Sequence, residues 1–262
     1  MENNMSTKLS QADLEFPEDV LKQLGQVNTI YALGIPAPHS AEAETFARHV
    51  GVPGHVQTAL VNARIIFAGA GGLNGLAVLG FLRSGARNVT VIDPDLVERT
   101  NLPRQLFFGK DLGQPKATRL IENLREDAIA GASLTGMAMR FEEAVEKFVL
   151  PADLLVVGVD RNDCRKYGVE LARKRGISAI FTMLSTDGMR CQCFLQGPDP
   201  SDACLWCALP NLDPEHILPC ASAVITSCLL ASALTLFFGH RALMGWPQNV
   251  EPYNFREVDL LG

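Results

Sequence analysis

The sequence predicts a doubly wound α/β fold built on a mostly parallel sheet, preceded by an N-terminal helical arm. Three observations carry this. From Arg64 onward, short apolar runs alternate with helical periods, the pattern of strands joined by crossover helices. A glycine-rich turn closes the first run and opens the first helical period. The residues before that lack the alternation and hold a short amphipathic stretch, Glu18 to Leu24, and the linker-like Ile35-Pro36-Ala37-Pro38. The organisation expected is an extension over 1–40 and one domain over 41–262.

Taken in order, Arg64 to Ala68 reads as a buried strand. Gly72 to Arg83 reads as a helix and Asn88 to Ile92 as a second strand. Pro115 to Arg125 is expected to be helical, with Pro in the first turn, where its missing N–H costs nothing. Ser133 to Met139, Asp153 to Val159 and Ala179 to Met183 read as further strands, with a helix over Asn162 to Arg175 between the last two. Cys191 to Leu195 reads as a later strand, whose period of two puts Cys191 and Cys193 on one face. Ala221 to Gly239 carries no charged residue, yet Ser222, Thr226, Ser227, Ser232 and Thr235 dilute its hydrophobicity. It reads as a buried core helix rather than a membrane span.

Composition sets the outer limits. With 262 residues and 47% hydrophobic content, the chain can bury a core without disulfides or metals, which excludes a mini-protein and a disordered chain. It has 23 basic against 29 acidic residues, a net charge of −6 and a pI near 5.4. No basic cluster stands out, so neither nucleic acid nor an anionic membrane is an expected partner. Seven cysteines and a Met1-Glu2-Asn3-Asn4 start without basic or apolar character point to a cytoplasmic protein.

The turn itself is Gly69-Ala70-Gly71-Gly72-Leu73-Asn74-Gly75. Glycines there let the backbone approach a phosphate, while free N–H groups and the helix dipole favour negative charge. The second strand ends in Asp93, placed to accept hydrogen bonds from ribose hydroxyls. Strand, turn, helix and acid in this order make the fold Rossmann-like and mark a nucleotide site on Gly69, Gly71, Gly72 and Asp93. The third fingerprint position is Asn74 rather than Gly, and the turn does not choose between a dinucleotide and ATP. A G-x-x-x-x-G-K-[ST] loop is absent, which disfavours a P-loop enzyme.

The stretch from Asp93-Pro94-Asp95 through Asn101-Leu102-Pro103-Arg104-Gln105 to Gly113-Gln114-Pro115-Lys116 narrows the chemistry. Asn101, Arg104, Gln105 and Lys116 supply amide, guanidinium and ammonium donors beyond what one pyrophosphate needs. They suit a triphosphate whose charge shifts during reaction. This block resembles the ThiF/MoeB family of activating enzymes, prokaryotic relatives of ubiquitin-activating enzymes. The glycine turn, the Asp93-x-Asp95 strand end, the N-L-x-R-Q run, the G-x-P-K helix start, the Asp153 to Asp160 strand end and Phe255-Arg256-Glu257 all take part.

The resemblance implies an ATP-dependent adenylyltransferase. Its substrate would be the C-terminal carboxylate of a small ubiquitin-like or sulfur-carrier protein or peptide. Asp93, at the Asp93-x-Asp95 strand end, would hold the ribose, and Arg104 and Lys116 the phosphates, with Asn101 and Gln105 assisting; Asp160 would hold Mg²⁺. The residues alone leave alternatives: Arg104 paired with an acid such as Asp111, and Asp160 as a helix N-cap. Phe46-Ala47-Arg48-His49 looks similar to the family's arginine-finger segment, which would send Arg48 across a homodimer to the partner's ATP. Otherwise Arg48 is a solvated surface residue.

Cys204-Leu205-Trp206-Cys207 sits where the family carries half of a four-cysteine zinc site. The other half is missing, and two thiolates do not close a tetrahedral Zn²⁺ site; Cys191 and Cys193 are the remaining candidates to complete it. Cys220 falls where family members forming covalent intermediates carry their cysteine, and would attack the acyl adenylate as a thiolate; as a bare residue it is equally a small buried hydrophobe. Cys164 and Cys228 read as core residues, and no histidine has ligand or triad spacing. Two other function classes share the glycine turn: an NAD-dependent oxidoreductase and a non-catalytic nucleotide-binding subunit.

Overall fold

The computed structural model describes residues 44–213, 222–244 and 254–261. The chain divides into two compact units, Met1–Gly51 and Val52–Gly262. In the first, the described residues include a 3₁₀ turn, Ala47–His49, with the Phe46 and His49 rings 5.2 Å apart. The expected amphipathic stretch at Glu18 to Leu24 lies outside the described residues.

The second unit is a seven-stranded sheet. Its strands are β1 (Arg64–Ala68), β2 (Asn88–Ile92), β3 (Ser133–Met137), β4 (Leu154–Val157), β5 (Ser178–Leu184), β6 (Arg190–Gln196) and β7 (Phe255–Asp259), in the order β3-β2-β1-β4-β5-β6-β7. β1 to β5 pair in parallel, and β6 pairs antiparallel with both β5 and β7. The helices are α1 (Gln57–Asn62), α2 (Gly72–Arg83), α3 (Lys116–Asn123), α4 (Phe141–Lys147), α5 (Asn162–Arg175), α6 (Leu205–Ala208) and α7 (Ile225–Met244). The doubly wound expectation holds, with the mixed edge formed by β6 and β7.

Alternate residues of each central strand feed two cores. Ile65, Phe67, Val89, Val91 and Val156 pack with α2, α3 and α7 on one face. Ile66, Ala68, Leu155, Val157 and Phe181 pack with α4 and α5 on the other. Chain connections leave β1 toward β2 and β4 toward β5, so a crevice opens at the carboxyl ends of β1 and β4. Ligands of such sheets bind at that switch point.

Helix α7 is long and apolar enough to cross a membrane, yet it packs on α2, β5 and β6. Its hydroxyls bond inside the protein: Ser232 Oγ donates to Leu73 O at 2.6 Å, and the Thr235 and Thr182 hydroxyls meet at 2.7 Å. Close contact with α2 requires small residues, since a Cβ on Gly80 would lie 2.3 Å from Leu236 Cδ1 and one on Gly239 2.2 Å from Phe81 Cζ.

Some boundaries differ from the sequence reading. Pro115 is the cap of α3 in extended conformation (ψ 127°), and Lys116 is the first helical residue. The strands predicted to reach Met139 and Val159 stop at Met137 and Val157. Helix α4 was not expected from the pattern; Phe141 and Ala144 supply its buried face.

Candidate functional site

The turn after β1 is built by backbone hydrogen bonds to its neighbours. Gly69 takes φ +99°, a region only glycine enters without strain, and its N–H donates to Ile92 O on β2 at 2.7 Å. Asn74 is fully buried, and its Nδ2 donates to Ala68 O at 2.7 Å and Gly69 O at 2.9 Å. The amide therefore pins the turn, which explains a side chain where the fingerprint has glycine. The space comes from the residue after β4, where a Cβ on Gly158 would lie 2.2 Å from Asn74 Oδ1.

Helix α2 then begins with no side-chain cap at Gly71, which leaves its first N–H groups without intrahelical acceptors and directs the positive end of its dipole outward. Gly72 has no room for a side chain: a Cβ there would lie 2.7 Å from Cys228 Sγ and 3.1 Å from Arg104 O.

Asp93 is 6% exposed. Its Oδ2 accepts the Ala70 N–H at 2.7 Å and its Oδ1 the Asp95 N–H at 2.8 Å. Burial raises its carboxyl above the ordinary carboxylate range, and the two N–H donors with the nearby Lys116 charge offset only part of that. Asp93 thus braces the phosphate-type turn against the end of β2.

Beyond β2, a 3₁₀ turn at Arg99–Asn101 is closed by the Asn101 side chain, whose Oδ1 accepts the Glu98 N–H at 2.9 Å. The Asn101 carbonyl in turn accepts the N–H groups of Arg104 at 3.1 Å and Gln105 at 2.9 Å. Arg104 donates from Nη1 to Thr100 O. Gln105 Oε1 is buried without a hydrogen-bond partner. Lys116 bonds twice to Asp95: its N–H reaches the Asp95 carbonyl at 2.9 Å and its Nζ reaches Oδ2 at 2.9 Å.

Asp111 is not the partner of Arg104. It is wholly buried and accepts from Arg119 Nε at 2.8 Å, Asn123 Nδ2 at 2.7 Å and the Phe108 N–H at 2.8 Å. Burial pushes its carboxyl up, but these donors and the Arg119 charge outweigh it and hold the group below the ordinary range.

At the end of β4, Asp160 precedes α5. The cap position belongs to Arg161, with no side-chain cap bond, so Asp160 is not the N-cap. Arg161 pairs with Asp163. Arg165 is 4% exposed; its Nη1 donates to Asn162 Oδ1 at 2.5 Å and its Nη2 to Val159 O at 2.6 Å. Burial brings its guanidinium down to about 10, with the Asp160 charge acting against that.

Gly69, Gly71, Gly72, Asp93, Asp95, Asn101, Arg104, Gln105, Lys116 and Asp160 all line one cavity of about 260 Å³ at the switch point. Arg140, Glu142, Cys164, Arg165 and Cys228 also line it. Sequence reasoning took the two cysteines as core residues, and both are buried. It had no signal for Arg140, Glu142 or Arg165. Burial pushes the Cys164 thiol far up and raises that of Cys228, so neither is a thiolate at neutral pH.

Arg48 is exposed on the Ala47–His49 turn of the other unit, and Cys220 lies outside the described residues. The Cys204 and Cys207 sulfurs are 3.5 Å apart, with Cys204 packed on the α5 side of the sheet. Cys193 is in the core on the opposite side, and Cys191 shares its strand face. Both are fully buried with thiols pushed up to about 12 by that burial, so they do not complete a zinc site. Among the described residues, no group of three His, Cys, Asp or Glu could hold a metal.

The cavity nevertheless fits a magnesium–triphosphate. Such a metal takes one or two carboxylates and fills its sphere with phosphate oxygens and water, which Asp160 beside an uncapped helix start and two cations can accommodate. The unpartnered Gln105 Oε1 suits a hydroxyl or water donor accompanying that ligand.

Known proteins place the chain. It is 26% identical over 202 residues to the SAMP-activating enzyme E1 of Haloferax volcanii, covering 72% of this chain and 71% of that one. With the sulfur carrier protein adenylyltransferase of Thermus thermophilus it shares 29% identity over 199 residues, covering 70% and 72%. The NEDD8-activating enzyme E1 catalytic subunit of Arabidopsis thaliana is 35% identical over 105 residues, which is 40% of this chain but only 23% of the relative. The chain thus spans about a quarter of that relative's length. Among solved structures, E. coli MccB with AMPCPP and MccA superposes with a TM-score of 0.65 at 17% identity, covering 94% of this chain and 80% of that one; this likeness concerns the fold. Residues 44–259 match the ThiF family, and the chain belongs to it.

Proposed function

We propose that this chain is an ATP-dependent adenylyltransferase that activates the C-terminal carboxylate of a small ubiquitin-like or sulfur-carrier protein or peptide. The observation that carries it is the single cavity in which an uncapped helix start, Arg104, Lys116 and Asp160 face one another. The activating-enzyme names of its relatives agree with this.

In the reaction, a carboxylate oxygen of the substrate attacks the α-phosphorus of ATP. An acyl–O–P bond forms, and pyrophosphate leaves with the electron pair of the broken P–O bond. The chain's contribution is alignment and charge stabilisation. The N–H groups at the start of α2 and the Arg104 guanidinium hold phosphate oxygens, and the Lys116 ammonium follows the charge that moves onto the leaving group. Asp93 keeps the turn in place and offers its remaining lone pairs to the ribose. Mg²⁺ on Asp160 would supply a hard Lewis acid for the phosphates.

The proposal extends to a homodimer in which Arg48 reaches the partner's ATP, in the cytoplasm, and to acyl transfer onto Cys220. A Cys220→Ala variant should then exchange pyrophosphate normally yet form no thioester, as read on a non-reducing gel; a thioester retained in the variant removes Cys220 from the scheme.

ATP–pyrophosphate exchange with small proteins and peptides ending in glycine tests the core reading. Exchange should require a free C-terminal carboxylate and vanish on amidation. Tight dinucleotide binding with no exchange for any carboxylate would replace this reading with an oxidoreductase.

A further inference from the structure

The back wall of the cavity holds a cation that the proposed chemistry does not use. Arg165 is 4% exposed, and burying a guanidinium is expensive unless its charge and donors are matched. Two of its nitrogens are matched, by Asn162 Oδ1 and Val159 O, while Nε is buried with no hydrogen-bond partner. Its acidic neighbour by charge is Asp160. Arg161, closer in sequence to Asp160, is committed to Asp163.

The two acceptors flank Asp160 in sequence. Val159 precedes it and Asn162 follows two residues later, so the guanidinium fork grips the β4–α5 turn on both sides of the carboxylate. The same turn touches the glycine loop: a Cβ on Gly69 would lie 3.1 Å from both Gly158 O and Val159 Cγ1. Asn162 is itself 2% exposed and tied through Nδ2 to Asp213 O at 2.7 Å. A single buried fork therefore fixes the carboxylate-bearing turn against the phosphate-binding turn.

We propose that Arg165 is a positioning residue: it sets the backbone that aims Asp160 into the cavity and balances that carboxylate's charge until a divalent cation arrives. This rests on the adenylation reading above. Arginine is required rather than lysine, because a point charge balances Asp160 but cannot grip Val159 O and Asn162 Oδ1 together. Outer-shell partners of this kind change metal affinity by about 10–100-fold when removed.

The test is Mn²⁺ binding to the full chain in the presence of α,β-methylene-ATP, followed by electron paramagnetic resonance, beside analogue binding in EDTA. Arg165→Gln should weaken Mn²⁺ binding about 10–100-fold while metal-free analogue affinity changes less than about threefold. Arg165→Lys should fall between Arg165→Gln and the wild type. Asn162→Ala loosens the fork from one side and, if Arg165→Gln does not fold, should show the same selective loss on a smaller scale. Folded Arg165→Lys or Asn162→Ala chains with wild-type Mn²⁺ affinity overturn the inference. Equal loss of Mn²⁺ and metal-free analogue binding also overturns it, because Arg165 would then be supporting the cavity as a whole. A wild-type chain that binds the analogue but no Mn²⁺ sinks the adenylation reading itself, a result distinct from the other two.

Discussion

Replacing Lys116 by Met separates the chemical from the structural reading of this site. In the resting protein the ammonium pairs with Asp95 at 2.9 Å, but Asp95 is 62% exposed, so the pair is worth about 0–1 kcal/mol. Against it, Lys116 is the first residue of α3, where a cation opposes the helix dipole by about 0.3–1 kcal/mol. The two nearly cancel. At about 2–4 °C per kcal/mol for a domain of this size, the melting temperature should move by no more than about 4 °C in either direction. Catalysis should suffer far more, because a preorganised donor to developing oxyanion charge is worth about 2.7–4 kcal/mol, or 10²–10³ in kcat. The assay is pyrophosphate exchange beside a thermal melt. Exchange within about threefold of wild type would refute the phosphate role, and so would a loss matched by unfolding.

Three further outcomes follow from the same geometry. Asp111→Ala removes the buried acceptor shared by Arg119 and Asn123, which keep Glu122 and the Leu106 carbonyl as partners, and should cost about 1–3 kcal/mol in urea unfolding; because the folded carboxyl sits below its unfolded value, that contribution is full above the ordinary aspartate range and disappears as pH falls through the lower folded value. Gly158→Ala should lower both stability and nucleotide affinity, and adding Asn74→Gly should restore part of each, with a coupling of about 0.5–3 kcal/mol in a double-mutant cycle; strict additivity would deny the contact. Mixing Arg48→Ala with Asp160→Ala chains should restore some exchange through hybrid dimers that have one intact site, and verified hybrids without activity would rule out a finger acting across the interface.

The centre of the sheet was legible because β1 and β4 are nearly continuous apolar runs. Arg64–Ala68 and Asn88–Ile92 carry their boundaries in the flanking glycine turn and in Asp93, and they fall where the sequence placed them. Helix α4 was not legible: it is short, and its acids leave only Phe141, Ala144 and Val145 as an apolar signal. The ligand-facing donors could be listed from the N-L-x-R-Q and G-x-P-K motifs, yet their partners could not. That Lys116 rests on Asp95, and that Asp111 is taken by Arg119 rather than Arg104, depends on which face of α3 meets the Phe108–Asp111 turn. Arg165 gave no signal, since a basic residue within α5 looks like a solvated face until the helix is docked.

Asn74 bears on whether the site is active or a remnant. From sequence, a missing third glycine reads as erosion of the nucleotide fingerprint, which would suit a non-catalytic subunit. In the structure the donor side of the replacement is satisfied and its oxygen is given room, although Oδ1 itself is buried with no hydrogen-bond partner. The Asn74 amide donates to two carbonyls of the turn, and Gly158 leaves the space its Oδ1 fills. Here the change tightens the loop, Asp93 adds a further tie through the Ala70 N–H, and Arg104, Lys116 and Asp160 still face the same cavity. Donors fixed in advance by backbone bonds need little reorganisation when charge develops, and that rigidity favours a working adenylation centre over a decayed one.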